Sequence, residues 1–346
     1  MLSPIVFRRE DMESTFLDPR QAFAPRTVAF QVRVDPLTGR TGHLSHFGAI
    51  QWQPLDVGSY NRDEVKGFCP FCPDARERFT PRFPDDLMGE GRPSIGEAQL
   101  IPNLFPYDIY SAVLIMSDRH AVPLDGFDGT MLGNALSLGV DFLKRVAVLE
   151  PSLPYHLMAW NYMPPSGGGL VHPHQQYFAT AHPGNVFIDE YTSSKAFQEE
   201  HGVSFWTELV AEELRQGVRH IGTTGRSEWL ASFVPRGIPG DVMAIFPHVF
   251  SVRDLTASDI GDLISGLTRL FAYFRDAGMS SFNAVWSFGP AGQTFFSSHF
   301  RIIPRTFLNL RDYAPDFSFF QALLGEPVSV ALPEDVCRDL RPYFTG

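Results

Sequence analysis

Cysteine is scarce in this sequence, which has three cysteines in 346 residues and therefore too few for a disulfide scaffold. Cys69 and Cys72 are separated by two residues, and Cys337 stands alone near the C-terminus. In a reducing compartment such a pair indicates metal binding or redox chemistry rather than a structural disulfide. We therefore expect a cytoplasmic protein.

Long apolar runs are also missing. The longest clean stretches, such as 112–116, fall far short of the roughly 20 residues that a membrane helix needs. The N-terminus lacks the apolar region and small-residue cleavage site of a secretory signal peptide. Basic residues are outnumbered, with 28 Lys and Arg against 39 Asp and Glu, and the formal net charge is −11. This charge argues against sequence-independent binding to nucleic acid, so we expect neither a nucleic-acid nor a membrane partner.

Hydrophobic residues are plentiful, at 44% of the chain against 19% charged, which excludes a mainly disordered protein and supplies a sizeable core. The hydrophobic pattern repeats the order strand, helix, strand, strand. The first copy covers 112–116, 129–149, 156–163 and 171–180; the second covers 242–246, 258–277, 282–288 and 295–303. This repeat predicts an α+β fold, duplicated internally, with two mostly antiparallel sheets and helices packed on them.

The same pattern suggests four parts of the chain. Residues 1–30 are predicted to be an irregular polar arm, 31–190 and 191–310 the two halves, and 311–346 a C-terminal tail. A strand is expected at 28–34, before a turn at 35–39. The segment 67–93 is rich in proline, glycine and charge, so we expect a loop held by whatever Cys69 and Cys72 bind.

The segment 167–178, GGGLVHPHQQYF, carries the most chemical information. On a strand, His172, His174 and Gln176 would project from one face, because side chains alternate with period two. The segment begins with Gly167, Gly168 and Gly169, which would let the backbone approach a ligand and aim N–H groups at an anion. Together these groups fit attack on a phosphorus centre. The alternative is a solvent-facing edge strand, which Pro173 favours.

The spacing of Cys69 and Cys72 lets two thiolates bind one Zn²⁺, with the other two ligands supplied from elsewhere. His120, just after the strand at 112–116, and His172 are the nitrogen donors that we consider. A thioredoxin-like redox pair is the rival interpretation. It expects the cysteines at a strand-to-helix junction, whereas here they lie in a proline-rich loop.

Six short segments occur in order along the chain and carry a family resemblance. They are DPLTG at 35–39, Cys69-x2-Cys72, NLFP beginning at Asn103, SDRH ending at His120, Asn161, and HPHQQ at 172–176. Together they resemble the galactose-1-phosphate uridylyltransferases, a branch of the histidine-triad superfamily. The resemblance extends from about residue 33 to about residue 305.

This resemblance implies a role for each matching residue. Cys69, Cys72, His120 and His172 correspond to the ligands of one structural zinc ion per chain, and His174 corresponds to the nucleophile. Gln176 corresponds to a glutamine that binds phosphate oxygens, Asn103 to a residue near the base and ribose, and Asn161 to one near the phosphates. The implied activity moves a nucleoside monophosphate from a nucleotide sugar to a phosphate-bearing acceptor through a nucleotidyl-histidine, in a homodimer.

Several departures from the family leave alternatives open. The stretch 44–51 lacks the arginines that the family usually has there, and the serine common just before HPH is absent. In the second half only His299 remains where some members bind a second metal, so we predict none. Arg301 and Arg305 either replace the missing positive charge or are ordinary surface residues. A nucleotide-sugar phosphorylase, a hydrolase and a non-catalytic zinc-stabilised nucleotide-binding protein remain the alternatives.

Overall fold

The structure is a computed structural model that describes residues 3–45, 52, 54–309 and 314–345. Residues 46–51 of the stretch without arginine lie outside this description. The described residues form the strands β1 (Arg8–Asp18), β2 (Ala24–Val34), β3 (Thr41–Ser45), β4 (Ser94–Ile95), β5 (Ala98–Pro102), β6 (Tyr110–Ile115), β7 (Tyr155–Tyr162), β8 (His174–Thr180), β9 (His220–Thr224), β10 (Ser227–Ala231), β11 (Val242–Phe246), β12 (Phe282–Phe288), β13 (Ser298–Pro304), β14 (Phe307–Asn309), β15 (Ala314–Pro315) and β16 (Val328–Ser329). The helices are α1 (Asp63–Lys66), α2 (Pro73–Phe79), α3 (Asp85–Met88), α4 (Gly129–Leu149), α5 (Asn185–His201), α6 (Phe205–Gln216), α7 (Ala257–Asp276), α8 (Phe319–Leu323) and α9 (Pro333–Thr345).

Ten strands form one large sheet in the order β4-β5-β6-β8-β7-β12-β13-β11-β10-β9, and every neighbouring pair in it is antiparallel. β12 pairs along its whole length with β7, from Phe282 opposite Tyr162 to Phe288 opposite His156. The two predicted half-sheets are therefore joined edge to edge at this pair. The predicted α+β class with mostly antiparallel strands is confirmed.

The strand order is symmetric about the junction between β7 and β12, because β6-β8-β7 on one side mirrors β11-β13-β12 on the other. Ala159 of β7 lies between Gln176 of β8 and Val285 of β12. Val285 in turn pairs with Arg301 of β13. Gln176 and Arg301 therefore occupy equivalent places in the two halves.

The main hydrophobic core lies on one face of the large sheet, under α4 and α7, which pack against each other. Met158, Trp160 and Tyr162 of β7 point into this core and are buried, so the odd-numbered residues of β7 face the opposite side, called the front face below. Gly139 of α4 allows the helix to approach β8 closely, because a Cβ there would lie 2.0 Å from a ring carbon of Tyr177. No helix among the described ranges is long and apolar enough to span a membrane.

Helix α7 follows its predicted stripe and agrees with the predicted bounds to within one residue at each end. Thr256 accepts a hydrogen bond from the backbone N–H of Asp259, and the Asp259 carboxylate accepts one from the backbone of Thr256, which forms a capping box. Gly278, with a φ of +78°, ends the helix as predicted. The helix buries its apolar stripe against the sheet, namely Ile260, Leu263, Leu267, Leu270, Phe271 and Phe274.

Three local expectations were wrong. Residues 8–34 form a hairpin of two 11-residue strands, β1 and β2, rather than an irregular arm that ends at residue 30. The segment 67–93 contains the short helices α2 and α3 rather than loop alone. The strand expected at 171–180 begins only at His174, and Pro173 precedes it. This strand, β8, lies inside the sheet between β6 and β7 instead of at an edge. The domain boundaries stay predictions, and residue 190 lies inside α5.

His156 of β7 predicts an acid-sensitive contribution to stability. Its side chain is buried, neither ring nitrogen meets hydrogen-bond geometry with a partner among the residues that the structure describes, and burial lowers its pKa to about 4. The unfolded chain, with a histidine pKa near 6.5, binds more protons between these values, so stability falls as the pH falls from 6.5 to 4. Acidification from pH 6.5 to pH 4 should lower the free energy of unfolding of His156→Leu by about 3 kcal/mol less than that of the wild type. Urea denaturation at several pH values measures this difference.

The exposed His182 supplies the control, because His182→Leu should leave the pH dependence as in the wild type. Equal pH dependence in the His156→Leu variant and the wild type would contradict the assignment.

Candidate functional site

Four side chains that the sequence predicts as metal ligands meet in one cluster. Potential ligand atoms of Cys69, Cys72, His120 and His172 all lie within 4.8 Å of one another. The Nδ1 atom of His172 is 3.7 Å from each of the two sulfur atoms, and Nδ1 of His120 is 3.5 Å from Cys72 Sγ. Both cysteines and His172 are buried, and His120 is partly exposed.

The cluster fits a tetrahedral metal ion. With metal–sulfur bonds of about 2.3 Å and metal–nitrogen bonds of about 2.0 Å, tetrahedral angles separate sulfur from nitrogen by about 3.6 Å, close to the observed distances. His172 Nε2 lies 2.7 Å from the Ser117 carbonyl oxygen, so it donates there and leaves Nδ1 as the ligand atom. Burial raises the pKa of the Cys69 thiol to about 11, so its thiolate needs a cation beside it.

Arg76 of α2 ties together the two loops that carry these ligands. Its guanidinium donates to the carbonyl oxygens of Phe71, at 2.9 Å, and Ser117, at 3.4 Å, and pairs with the Asp118 carboxylate at 3.0 Å. Because Phe71 lies between the cysteines and Ser117 and Asp118 precede His120, one buried cation fixes the spacing of the two ligand loops.

His174 is the first residue of β8 and lies beside the metal cluster. Its Nδ1 is 2.7 Å from the carbonyl oxygen of His172, so Nδ1–H donates there and Nε2 carries the lone pair. The ring of Phe71 packs against it at 65° with a centroid distance of 5.4 Å. Burial lowers the pKa of His174, which favours the neutral imidazole.

His174 opens onto a cavity of about 450 Å³ on the front face of the sheet. Gln176, Asn103 and Gly169 line the same cavity, so the structure brings these four predicted residues together. Asn103 Oδ1 accepts a hydrogen bond from the backbone N–H of Phe105. Several exposed aromatic rings complete the lining, namely Phe68, Phe79, Phe105 and Tyr107.

Asn161, Gly167 and Gly168 are not part of that lining. Asn161 lies near the end of β7, and the Cα of Gly168 packs close to it, since a Cβ there would lie 3.6 Å from the Asn161 carbonyl oxygen. Gly167 has a φ of +79°, which favours glycine, whereas Gly168 and Gly169 do not need positive φ. Asn161 is two residues from Ala159, and Ala159 pairs with Gln176, so continuing the register places Asn161 beside His174.

The second half contains a counterpart of His174 in a different environment. The Nδ1 of His299 lies 3.1 Å from the carbonyl oxygen of Ser297, which repeats the contact of His174 two residues upstream. However, Nε2 of His299 is 3.5 Å from a Glu190 carboxylate oxygen, and the ring stacks on Trp206. Both ring nitrogens of His299 thus face oxygen acceptors.

Arg301 and Arg305 are neither free phosphate-binding groups nor ordinary surface residues. Arg301 pairs with Asp241 at 2.8 Å and with Glu190 at 3.4 Å. Arg305 pairs with Asp316 at 2.6 Å. Their side chains are only 13% and 19% exposed, so both guanidinium groups form ion pairs that are largely buried in the protein.

Comparison with known proteins bears on the fold of this chain. No protein-family model matches the chain. An uncharacterized protein of Archaeoglobus fulgidus is 28% identical over 318 residues, which cover 91% of this chain and 92% of that protein. The crystal structure of an ADP-glucose phosphorylase from Arabidopsis thaliana with bound ADP-glucose has a TM-score of 0.68 at 18% identity and covers 90% of this chain and 97% of that one. A uridylyltransferase structure has a TM-score of 0.64 at 20% identity and covers 91% and 98%.

The chain has the fold of these two enzymes. The resemblance inferred from the sequence is confirmed for the fold, and it extends over nine-tenths of the chain. Within this uridylyltransferase fold, three residues that contact the predicted site residues were not identified from the sequence. Phe71 was visible between the two cysteines, but its contact with His174 was not. Ser117 contributes only its carbonyl oxygen, and Asn283 of β12 donates to the Asn161 side chain and to the Ser166 carbonyl oxygen.

The cluster predicts one tightly bound metal ion per chain. Cys72→Ala removes one of four ligands. Elemental mass spectrometry of the purified variant should therefore give a metal content per chain below about a tenth of the wild-type value. Its melting temperature should fall by roughly 10 °C, because the metal-binding free energy contributes to folding. The control is Cys337→Ala, which alters another buried thiol and should keep the full metal content. Full metal content in Cys72→Ala would contradict the ligand assignment.

Proposed function

We propose that this protein transfers a nucleoside monophosphate from a nucleotide sugar to a phosphate-bearing acceptor, through a covalent adduct on Nε2 of His174. The observation that carries the proposal is the 2.7 Å contact between His174 Nδ1 and the His172 carbonyl oxygen, beside a cavity that His174 lines. This contact leaves Nε2 as a nucleophile, and the cavity has room for a nucleotide.

The reaction has two displacements at the same phosphorus atom. In the first, the Nε2 lone pair attacks the α-phosphorus, a P–N bond forms, and the P–O bond to the sugar phosphate breaks. The Nδ1 proton stays on the ring, and the His172 carbonyl stabilises the positive charge of the adduct. In the second, a phosphate oxygen of the acceptor attacks the α-phosphorus, the P–N bond breaks, and neutral His174 is restored.

Amide groups around His174 would stabilise the negative charge on the phosphoryl oxygens. Gln176 lies two residues along the same strand face and lines the same cavity. We place Asn161 and the backbone N–H groups of Gly167, Gly168 and Gly169 on the β7 side of the phosphoryl group. Each donor that strengthens its hydrogen bond in the transition state is worth about 3 kcal/mol. The aromatic rim and Asn103 form the part of the cavity where we place the base and ribose.

We propose Zn²⁺ as the metal, because two thiolates and two imidazoles are a donor set that zinc prefers. Four protein ligands close the coordination sphere, so a bound zinc ion supplies structure rather than an activated water. His172 then holds the strand next to His174, and Phe71 in the cysteine loop packs on the ring of His174. The ligand loop thereby fixes the direction in which Nε2 points.

The choice of substrate rests on the neighbours in structure. One of them holds ADP-glucose and is a phosphorylase, and another is a uridylyltransferase, which supports a nucleotide sugar as donor. The acceptor is then either inorganic phosphate or a sugar phosphate, and we propose the sugar phosphate. A reduced, buried thiol pair suits the cytoplasm, which we propose as the compartment. The homodimer expected from the resemblance stays a prediction.

The nucleophile is tested by trapping the adduct. Wild-type protein incubated with ADP-glucose or UDP-glucose, labelled in the α-phosphate, should retain one acid-labile label per active site after rapid gel filtration. His174→Ala should retain less than 1% of it, because no other imidazole takes its position. The control is His182→Ala, at an exposed histidine beyond β8, which should label like the wild type. Undiminished labelling of His174→Ala would contradict the assignment.

The acceptor is tested by chasing the labelled protein. Glucose 1-phosphate should remove the label at least about 100-fold faster than buffer alone, and the label should appear in a nucleotide sugar. Faster release by inorganic phosphate, with a nucleoside diphosphate as product, would identify a phosphorylase instead. Release that neither acceptor accelerates would identify a hydrolase.

A further inference from the structure

A chain of four side chains runs from the C-terminal tail through the second half to Asn161 of β7. The carboxylate of Asp316 accepts a hydrogen bond of 2.8 Å from Arg305 Nε. Arg305 Nη1 donates to Asn283 Oδ1 at 2.5 Å. Asn283 Nδ2 donates to Asn161 Oδ1 at 2.6 Å and to the Ser166 carbonyl oxygen at 2.9 Å. The chain therefore reaches both Asn161 and the residue that precedes the three glycines.

The chemistry of the groups at its ends fixes the direction of every hydrogen bond in this chain. A guanidinium is only a donor, so Arg305 must face the oxygen of the Asn283 amide. A carbonyl is only an acceptor, so Ser166 must face the nitrogen of that amide. These two independent demands agree, and they leave Asn283 Nδ2 as a donor to Asn161. Asn161 therefore uses its oxygen as acceptor and keeps Nδ2 as a donor.

That remaining donor lies on the same face of the sheet as His174. Nδ2 of Asn161 has no protein partner within the part of the chain that the structure describes. Asn161 is on the front face of β7, and the register that pairs Ala159 with Gln176, continued by two residues, places Asn161 opposite His174. A phosphoryl group captured by His174 Nε2 would lie next to an N–H donor at this place, instead of a carbonyl oxygen that would repel it.

We propose that Asn283 is a positioning residue that, oriented by Arg305 and Asp316, sets the Asn161 amide so that its nitrogen faces the transferred phosphoryl group. The proposal rests on the function proposed above and deepens it, because it assigns a second-half residue to a site built from first-half residues. Arg305, which is paired with Asp316, can only donate hydrogen bonds and so fixes the orientation of the Asn283 amide. It thereby affects phosphoryl transfer without contacting the phosphoryl group.

Asn283→Asp reverses this arrangement. A carboxylate at position 283 still accepts from Arg305, but it has only acceptor oxygens to offer Asn161. Asn161 then turns its Nδ2 toward position 283 and presents Oδ1 to the phosphate. Asn283→Ala removes the constraint without reversing it, because the Asn161 amide becomes free to rotate. The aspartate should therefore be more harmful than the alanine.

A double-mutant cycle with Asn161 tests the proposal. We expect adduct formation on His174 to slow about 100-fold in Asn283→Asp and about 10-fold in Asn283→Ala, as for loss of a phosphate donor. Asn161→Ala should slow it about 100-fold, and adding Asn283→Asp to Asn161→Ala should cost no more than about threefold further. An equal loss from Asn283→Asp in both backgrounds would mean that its negative charge acts directly on the phosphate, and would overturn the proposal.

Binding of AMP and UMP separates this proposal from the proposed function when calorimetry is carried out on the wild type, Asn283→Asp, Asn283→Ala, and each of these two substitutions combined with Asn161→Ala. If the wild type forms no adduct, nucleotidyl transfer fails as the function. The proposal then still requires weaker nucleotide binding in Asn283→Asp than in Asn283→Ala, with the difference absent in the Asn161→Ala background. Equal binding in the two variants, or binding of neither nucleotide by the wild type, would overturn it.

A second pair of variants leaves both asparagines unchanged. Arg305→Met removes the donor that orients Asn283 and should slow adduct formation about 10-fold. Arg305→Lys keeps a donor-only group and should restore most of the lost rate. A purely structural role for Arg305 would show as equal rates in the two variants with lowered melting temperatures, and that result would overturn the proposal.

Discussion

The antiparallel hydrogen bonds between β7 and β12 are the interaction on which the rest of the structure depends. They join two half-sheets of similar order into one ten-stranded sheet, and they place the even-numbered residues of β7 in a common core under α4 and α7. The front face is thereby continuous from the metal cluster to the second half. A contact such as that of Asn161 with Asn283, 122 residues apart in the chain, exists only because these two strands are neighbours.

The two halves share a strand order but differ in chemistry. His174 and His299 both donate from Nδ1 to the backbone carbonyl oxygen two residues upstream, so this hydrogen bond is common to the two halves. The difference lies in what faces Nε2. His174 lines a cavity of about 450 Å³, and His299 lines another of about 320 Å³, but the Glu190 carboxylate lies 3.5 Å from His299 Nε2 and Trp206 stacks on its ring. Nε2 thus faces a ligand cavity in the first half and an acidic acceptor in the second.

Much of this site could be predicted from the sequence, because its signals are local. The spacing of Cys69 and Cys72 reports geometry over a few residues, and these cysteines meet His120 and His172 in one cluster. His174 and Gln176 alternate along β8 and line one cavity. The strands β11 and β12 and the helix α4 have the predicted bounds because their apolar patterns are strong.

The remaining features depend on contacts that no local pattern encodes. β1 was missed because the sequence RREDMESTFLD has too few apolar residues to mark a buried face. The burial of Arg301 and Arg305 follows from acidic partners on other elements, and the contribution of Asn283 follows from strand pairing. A single polar residue in a strand has no signature that distinguishes it from an ordinary surface residue.

The hairpin of β1 and β2 has a consequence for the behaviour of the protein in concentrated solution. β1 is an outer strand of its four-stranded sheet, and ten of its eleven residues are exposed. An outer strand of this length is a template on which extended chains could assemble into aggregates. Arg8, Arg9, Glu10, Asp11 and Glu13 place both signs of charge along it, so an incoming strand would have to match this order or bury unpaired charge. The polar composition that hid the strand from prediction therefore protects the protein from self-association along that edge.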